Sequence, residues 1–235
     1  MNSLAVTFAW AGFLLPGAAD NVIPPEQAQG HVSAALSDLQ SADPAVRRCG
    51  AFALGAMGVE ALPALRPLLA ALAGDADDRV RELAAFALGN LGPQGAPAVA
   101  PLLAVLRNTK EKAGVRALAA QALGSSLYSV AGRAIGPLAE ALRDKEDNVR
   151  LNAARALGSF GAKATGAVPR LIQMLKEKRP SIRGAVVSTL GEIGPDAAAA
   201  VPALKAMLRD ADANVRERVP VALQKIDPKA ASTVE

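Results

Sequence analysis

The pattern V-R-x-x-A-A-x-A-L-G recurs along the chain at a nearly fixed interval. Its arginine stands at Arg47, Arg81, Arg116, Arg150, Arg183 and Arg216, with gaps of 34, 35, 34, 33 and 33 residues. A leucine follows each arginine at the same offset, at Leu54, Leu88, Leu123, Leu157, Leu190 and Leu223. Glycine comes next in five copies (Gly55, Gly89, Gly124, Gly158 and Gly191), and Gln224 takes that place in the sixth. A period of this size is the signature of a stacked array in which each unit buries its apolar face on its neighbours.

The unit reads as two helices. Over residues 129–143, Ile135, Leu138 and Leu142 recur at helical spacing; over 147–160, Val149, Ala153, Leu157 and Phe160 form a second stripe. The acidic stretch Asp144 to Asp147 separates them, with Asp147 expected as the N-cap of the second helix. Gly158 and Gly161 are expected to end it. Pro63, Pro97, Pro169 and Pro202 fall where first helices are expected to begin, a position proline tolerates. Hydrophobic residues make up 51% of the chain, yet aromatics only 3%. Alanine and leucine therefore fill the core, which suits helices at close approach. Pro220 interrupts the last second helix and predicts a kinked final helix, since proline removes a backbone hydrogen bond.

The peptides D-P-A-V-R at 43–47, D-D-R-V-R at 77–81, D-N-V-R at 147–150 and A-N-V-R at 213–216, with A-L-G at 53–55, 87–89, 122–124 and 156–158 and T-L-G at 189–191, resemble HEAT repeats. The similarity is to the bacterial group called PBS-lyase-like HEAT repeats. It covers residues 26 to about 228. The resemblance implies an all-α, right-handed α-solenoid of about six helix pairs, with first helices on the convex side and second helices on the concave side. It also implies that Arg47, Arg81, Arg116, Arg150, Arg183 and Arg216 form a structural ladder joining adjacent turns through acidic residues. Asp43, Asp77, Asp147 and Asp212 are the expected acidic partners. The third turn, TKEKAG at 109–114, and the fifth, KEKRPS at 176–181, depart from the pattern, so the resemblance supplies no acidic partner there.

Similar folds include enzymes, and this chain lacks their residue sets. A di-iron hydroxylase of the deoxyhypusine type needs His-Glu pairs, whereas His31 is the single histidine. HEAT-type DNA glycosylases present aromatics and an acidic group in a basic groove; here Trp10 lies in the first segment and Tyr128 in a loop. The phycobilin lyase subunits share the repeat, but no separate residues that would carry bilin transfer stand out. No phosphate-cradling, dinucleotide or serine-hydrolase signature occurs. No catalytic, cofactor-binding or metal-binding set is expected. Cys49 is the lone cysteine, so no intrachain disulfide forms. A net charge of +4, without a long basic stripe, disfavours a nucleic-acid partner. The basic cluster from Lys176 to Arg179 reads as a solvated helix end.

Residues 4–15, LAVTFAWAGFLL, form an uncharged run too short to span a bilayer, which takes about 20 apolar residues. Followed by Pro16, Gly17, Ala18 and Ala19, the run reads as a signal peptide over residues 1–19, although no basic residue precedes it. The alternative is a capping helix. The first reading predicts export to the periplasm or beyond the cell, the second a cytoplasmic protein. Residues 20–25 read as a linker, 26–228 as the solenoid and 229–235 as a tail, and the expected state is a monomer without a membrane span.

Repeat arrays bind along an extended concave surface. Aligning the second helices on Val-Arg exposes three columns of mixed polarity. They predict a groove that is apolar around Cys49, Phe52, Leu83, Phe86 and Leu118 and polar around Gln121, Asn152, Arg155 and Ser159. The residues expected to meet a partner are Phe52, Phe86, Gln121, Asn152, Arg155 and Ser159. Phe52 and Phe86 have the alternative of packing inside the core. The function these readings predict is a non-enzymatic scaffold for a protein or peptide, with an accessory subunit of an enzyme as the alternative and nucleic-acid binding behind both.

Overall fold

A computed structural model describes residues 25–125, 127–130 and 132–231. Those residues form helices and no strands. The expected signal or capping segment, residues 1–19, lies outside the described residues, as does Trp10.

Six helix pairs follow one another. The first helices are α1 (Pro25–Leu39), α3 (Leu65–Gly74), α5 (Val99–Arg107), α7 (Ile135–Ala141), α9 (Val168–Met174) and α11 (Val201–Met207). The second helices are α2 (Pro44–Met57), α4 (Asp78–Asn90), α6 (Ala113–Gly124), α8 (Asp147–Gly158), α10 (Pro180–Ile193) and α12 (Ala213–Ile226). A short helix α13 (Pro228–Ala231) follows, reaching into the stretch expected to be a tail. Each first helix packs on the second helix of its own pair, and each second helix packs on the next: α2 on α4, α4 on α6, α6 on α8, α8 on α10 and α10 on α12. The leucine column lies at the centre of this stack, and all six of its members are fully buried.

The pairs are joined by tight helical turns that sequence periodicity does not separate from the first helices. Segments Gly58–Ala64, Pro93–Ala98, Gly132–Ala134, Gly161–Ala167 and Gly194–Ala200 wind as 3-10 helices that run straight into the first helices. Pro63 and Pro97 lie inside these segments, whereas Pro169 and Pro202 open α9 and α11. Gly58, Gly92, Gly161 and Gly194 take positive φ at the reversals, a conformation L side chains resist.

The glycine of A-L-G serves a different purpose. It sits inside the last turn of its helix, where the next second helix comes closest. A Cβ on Gly124 would lie 2.3 Å from the Cα of Ala156, and one on Gly89 would lie 2.7 Å from that of Ala122. On Gly191 the distance to the Cα of Ala222 would be 3.0 Å. The rule is that the glycine of one repeat meets the small residue of the next repeat two positions before that repeat's own glycine. Gln224 is exposed, so the sixth copy is free of that requirement.

α12 runs as one helix from Ala213 to Ile226 with Pro220, the residue expected to kink it, inside. The matching residues Ala51, Ala85, Ala120, Ala154 and Val187 are fully buried, whereas Pro220 is exposed. Its missing amide hydrogen bond falls on the solvent side. Among the described residues, one continuous helical stretch, Pro44–Gly74, is long and apolar enough by composition to cross a bilayer. It is divided at Gly58 (φ 60°) between two repeats, and its Leu54, Leu68 and Leu72 are buried in the protein core.

Candidate functional site

Two features of the array could carry function: the arginine column along one edge and the exposed face of the second helices. The arginine column is a continuous relay. Arg47 clasps the Asp75 carboxylate with Nε and Nη2 at 2.7 and 2.8 Å, and its Nη1 donates to the carbonyl oxygens of Ser41 (3.1 Å) and Ala42 (3.0 Å). Arg81 donates to Glu111 (2.8 Å) and to the carbonyl of Asp75 (2.7 Å). Arg116 holds Asp144 at 3.1 and 2.9 Å and the carbonyl of Glu111. Arg150 reaches Glu177 at 3.3 Å and the carbonyl of Asp144 at 2.7 Å. Arg183 holds Asp210 at 2.7 and 2.6 Å and the carbonyl of Glu177 at 2.8 Å. Arg216 donates to the carbonyl of Asp210 at 2.7 Å. Each turn acid thus gives its side chain to the arginine before it and its carbonyl to the arginine after it.

This arrangement corrects the expected acidic partners. The acids that join each ladder arginine to the next repeat are Asp75, Glu111, Asp144, Glu177 and Asp210, not Asp43, Asp77, Asp147 and Asp212. Those four begin the second helices. Asp43, Asp77 and Asp212 are N-caps that accept from the amides of Ala45 (2.8 Å), Val80 (3.1 Å) and Val215 (3.2 Å). The expected N-cap Asp147 is instead the first residue of α8, capped by Glu146 without a side-chain bond. It accepts from Arg150 (2.6 Å) of its own helix and from Arg179 (2.7 Å). Asp77 additionally takes Arg48 in an ion pair. The third and fifth turns do not break the ladder, because Glu111 and Glu177 occupy the acceptor position with a longer side chain.

The acids titrate accordingly. Hydrogen bonds from Arg47, Arg183 and Arg179 hold Asp75, Asp210 and Asp147 below the ordinary carboxylate range. Those from Arg48 bring Asp77 down to about 2. For Asp144 and Glu111 burial pushes the carboxyl up, but the hydrogen bonds from Arg116 and Arg81, joined by backbone amides, outweigh it and leave both lowered. With every acid paired, this edge is a structural seam.

The second-helix face has the opposite character. Phe52 is 46% exposed, and Gln121, Arg155 and Ser159 are exposed as well. Phe86 and Asn152 are half-buried. Neither phenylalanine belongs to the core, although the Phe86 ring covers Gly55, where a Cβ would lie 2.6 Å from it. At the end formed by α8, α10 and α12 the face deepens into a groove of about 730 Å³. Arg155, Ser159, Ser188, Asn214 and Arg218 line it, above the small residues Gly184 and Ala185. Leu83, Leu118 and Asn152 occupy the place of Ala185 in the three preceding repeats, so the groove opens where that column shrinks. Sequence columns contained Ser188 and Arg218 but gave no reason to single them out; the shrinkage to Gly184 and Ala185 was the available signal. No group of three or more metal-ligating side chains occurs among the described residues.

Known proteins place the fold. The family model described as HEAT repeats matches residues 32–124 and 135–224. None of the curated proteins matches the chain. Among solved structures, the Escherichia coli protein YibA shares 20% identity over 94% of this chain and 80% of its own, with a TM-score of 0.66. Computationally designed armadillo repeat proteins for modular peptide recognition share 20% identity over 83% of this chain and 100% of theirs, at a TM-score of 0.60. The complex of CpcE and CpcF of phycocyanin lyase from Nostoc sp. PCC7120 shares 25% identity over 68% of this chain and 98% of that chain, at a TM-score of 0.53.

Proposed function

The chain belongs to the HEAT-repeat family, and on that premise we propose that it is a non-enzymatic scaffold that takes a protein or peptide segment along the face of its second helices. One observation carries this reading: the side chains of Gln121, Asn152, Arg155 and Ser159 have no hydrogen-bond or charge partner among the described residues, and the ring of Phe52 on the same face is exposed. The opposite holds for the arginine edge, where each charge is used internally. Unpaired donors and acceptors on a rigid, repeated surface suit an extended segment, whose backbone offers a hydrogen-bonding group at each residue. The likeness to armadillo proteins designed for modular peptide recognition favours the same use. The proposal extends to location: if residues 1–19 are a signal peptide, the scaffold works outside the cytoplasm.

The test is capture with the full chain beside two variants shown to keep their helix content. Phe52→Ser/Gln121→Ala/Arg155→Glu alters the second-helix face, and Arg66→Glu/Arg133→Glu alters exposed arginines near the first helices. The expected result is a protein held by the wild type and the second variant and lost from the first. Equal recovery by all three would remove this face as the binding surface.

A second reading has its own support in the likeness to the CpcE–CpcF complex of phycocyanin lyase. On that reading the scaffold is an accessory subunit, and its captured partner is an enzyme whose turnover changes when this chain is added.

A further inference from the structure

We infer that the groove between α8, α10 and α12 recognises an acidic peptide segment, read by Arg155 and Arg218. The inference rests on the peptide-binding reading of the second-helix face and adds the chemistry of the partner.

The charge balance of the groove carries it. Four charged side chains line the hollow: Arg155, Glu192, Asp212 and Arg218. The two acids are already engaged. Glu192 accepts from Lys225 at 2.7 Å, and Asp212 caps α12 through the amide of Val215 at 3.2 Å. The two arginines have no carboxylate. Arg218 donates only to the hydroxyl of Ser188 (3.1 Å), and Arg155 has no partner among the described residues. The ladder arginines from Arg47 to Arg183 each hold an acid of the next repeat, whereas Arg155 and Arg218 face the hollow without one. The neighbouring hollow adds Lys225, held by Glu192, and the exposed Glu217 at its rim.

Shape selects an extended chain. Gly184, Ala185 and Ser188 of α10 form a low floor; Arg155 rises from α8 on one side, and Arg218 reaches from α12 over Gly184 to Ser188. Adjacent second helices pack about 10 Å apart, so α8 and α12 stand roughly 20 Å apart. An extended peptide covers about 3.3–3.6 Å per residue, so about six residues bridge them. Ser159 and Asn214 supply a hydroxyl and an amide for the peptide backbone. Guanidinium groups match carboxylates with two parallel hydrogen bonds, which gives direction as well as attraction.

The experiment is fluorescence anisotropy with the full chain and four labelled probes. Three are twelve-residue peptides of alternating Glu-Ser, Lys-Ser and Gly-Ser, and the fourth is a twelve-nucleotide oligothymidylate. The expected result is that the Glu-Ser peptide binds at least tenfold more tightly than the other three. Its affinity should fall at least tenfold in Arg155→Glu/Arg218→Glu and change less than threefold in Arg66→Glu/Arg133→Glu, which shifts net charge equally. Added salt should weaken it. Suppose instead that the Lys-Ser or Gly-Ser peptide binds as well, loses affinity in a groove-filling Ser188→Trp variant and ignores the charge reversals. The groove then remains a peptide site and the acidic partner is overturned. If no peptide responds to Ser188→Trp, the inference falls together with the peptide-binding reading at this end of the face. Tighter binding of oligothymidylate through the same two arginines would replace the acidic peptide with a nucleic acid.

Discussion

Replacing Arg116 with methionine should destabilise the array far more than its single charge implies. Arg116 is 2% exposed, and its partner Asp144 is 11% exposed. The substitution keeps a long apolar stem but removes both hydrogen bonds to Asp144 and the one to the Glu111 carbonyl. Asp144 then retains the amide of Glu146 at 2.9 Å and faces the burial that pushes its carboxyl up. Breaking a buried pair from one side costs about 3–5 kcal/mol, because the remaining charge is left uncompensated. At about 2–4 °C per kcal/mol for a chain of this size, the midpoint of thermal unfolding should fall by about 6–20 °C. The assay is circular dichroism at 222 nm against temperature and urea. Arg79→Met is the control, because its pair with Glu82 lies on the surface of α4 with the arginine 68% exposed. Pairs of that spacing contribute about 0.2–0.5 kcal/mol. Adding Asp144→Asn to Arg116→Met should recover part of the loss by removing the stranded charge. An Arg116→Met loss no larger than the control's would refute the claim that the relay holds adjacent repeats together.

Three further outcomes follow from the packing and the charges. Gly124→Ala should destabilise the fold by about 1–3 kcal/mol despite the better helix propensity of alanine, because the new Cβ would meet Ala156. Gly136→Ala in α7, with nothing within 4 Å, should instead stabilise it, by up to about 1 kcal/mol; urea titration separates the two. Phe52→Ser should leave the thermal midpoint nearly unchanged, whereas Phe86→Ser should lower it, since only Phe86 covers a neighbouring helix. In acid, Asp75, Asp77, Asp144, Asp147, Asp210 and Glu111 stay ionised below the pH at which the unfolded chain protonates. Their contribution is therefore complete above the ordinary carboxylate range and is lost as pH falls through the folded values, down to about 2 for Asp77. Thermal midpoints measured between pH 6 and pH 2 should drop in that window, and an acid-flat profile would contradict the pairing.

Much of the fold is legible in the chain because the repeat prints the same constraint six times. The leucine column, the arginine column and the helix pairs all follow from one period. The ladder acids were harder to read because the second, fourth and sixth turns each offer a second aspartate: Asp75 with Asp77, Asp144 with Asp147, and Asp210 with Asp212. Either member looks suitable until the irregular turns are compared. The third and fifth turns carry Lys112 and Arg179 where an aspartate cap would stand, yet they keep Glu111 and Glu177 further upstream. The departures therefore distinguish the repeat-joining acid from the capping acid. The exposed face of the second helices was legible as columns of mixed polarity, because a position that alternates between Phe52, Gln121 and Arg155 cannot be core. Its deepest part was not legible in the same way, because depth comes from residues that are small, such as Gly184 and Ala185, rather than from any that stand out.

The relay also has a mechanical meaning. Ionic and hydrogen-bonded links run without interruption from Arg47 to Arg216 along one edge, each anchored at a turn. A tendon of this kind resists lengthening, whereas the apolar contacts between helices hold no directional bond. Bending of the array should therefore pivot about the arginine edge, and a partner that draws the repeats together would work against those contacts rather than against the tendon.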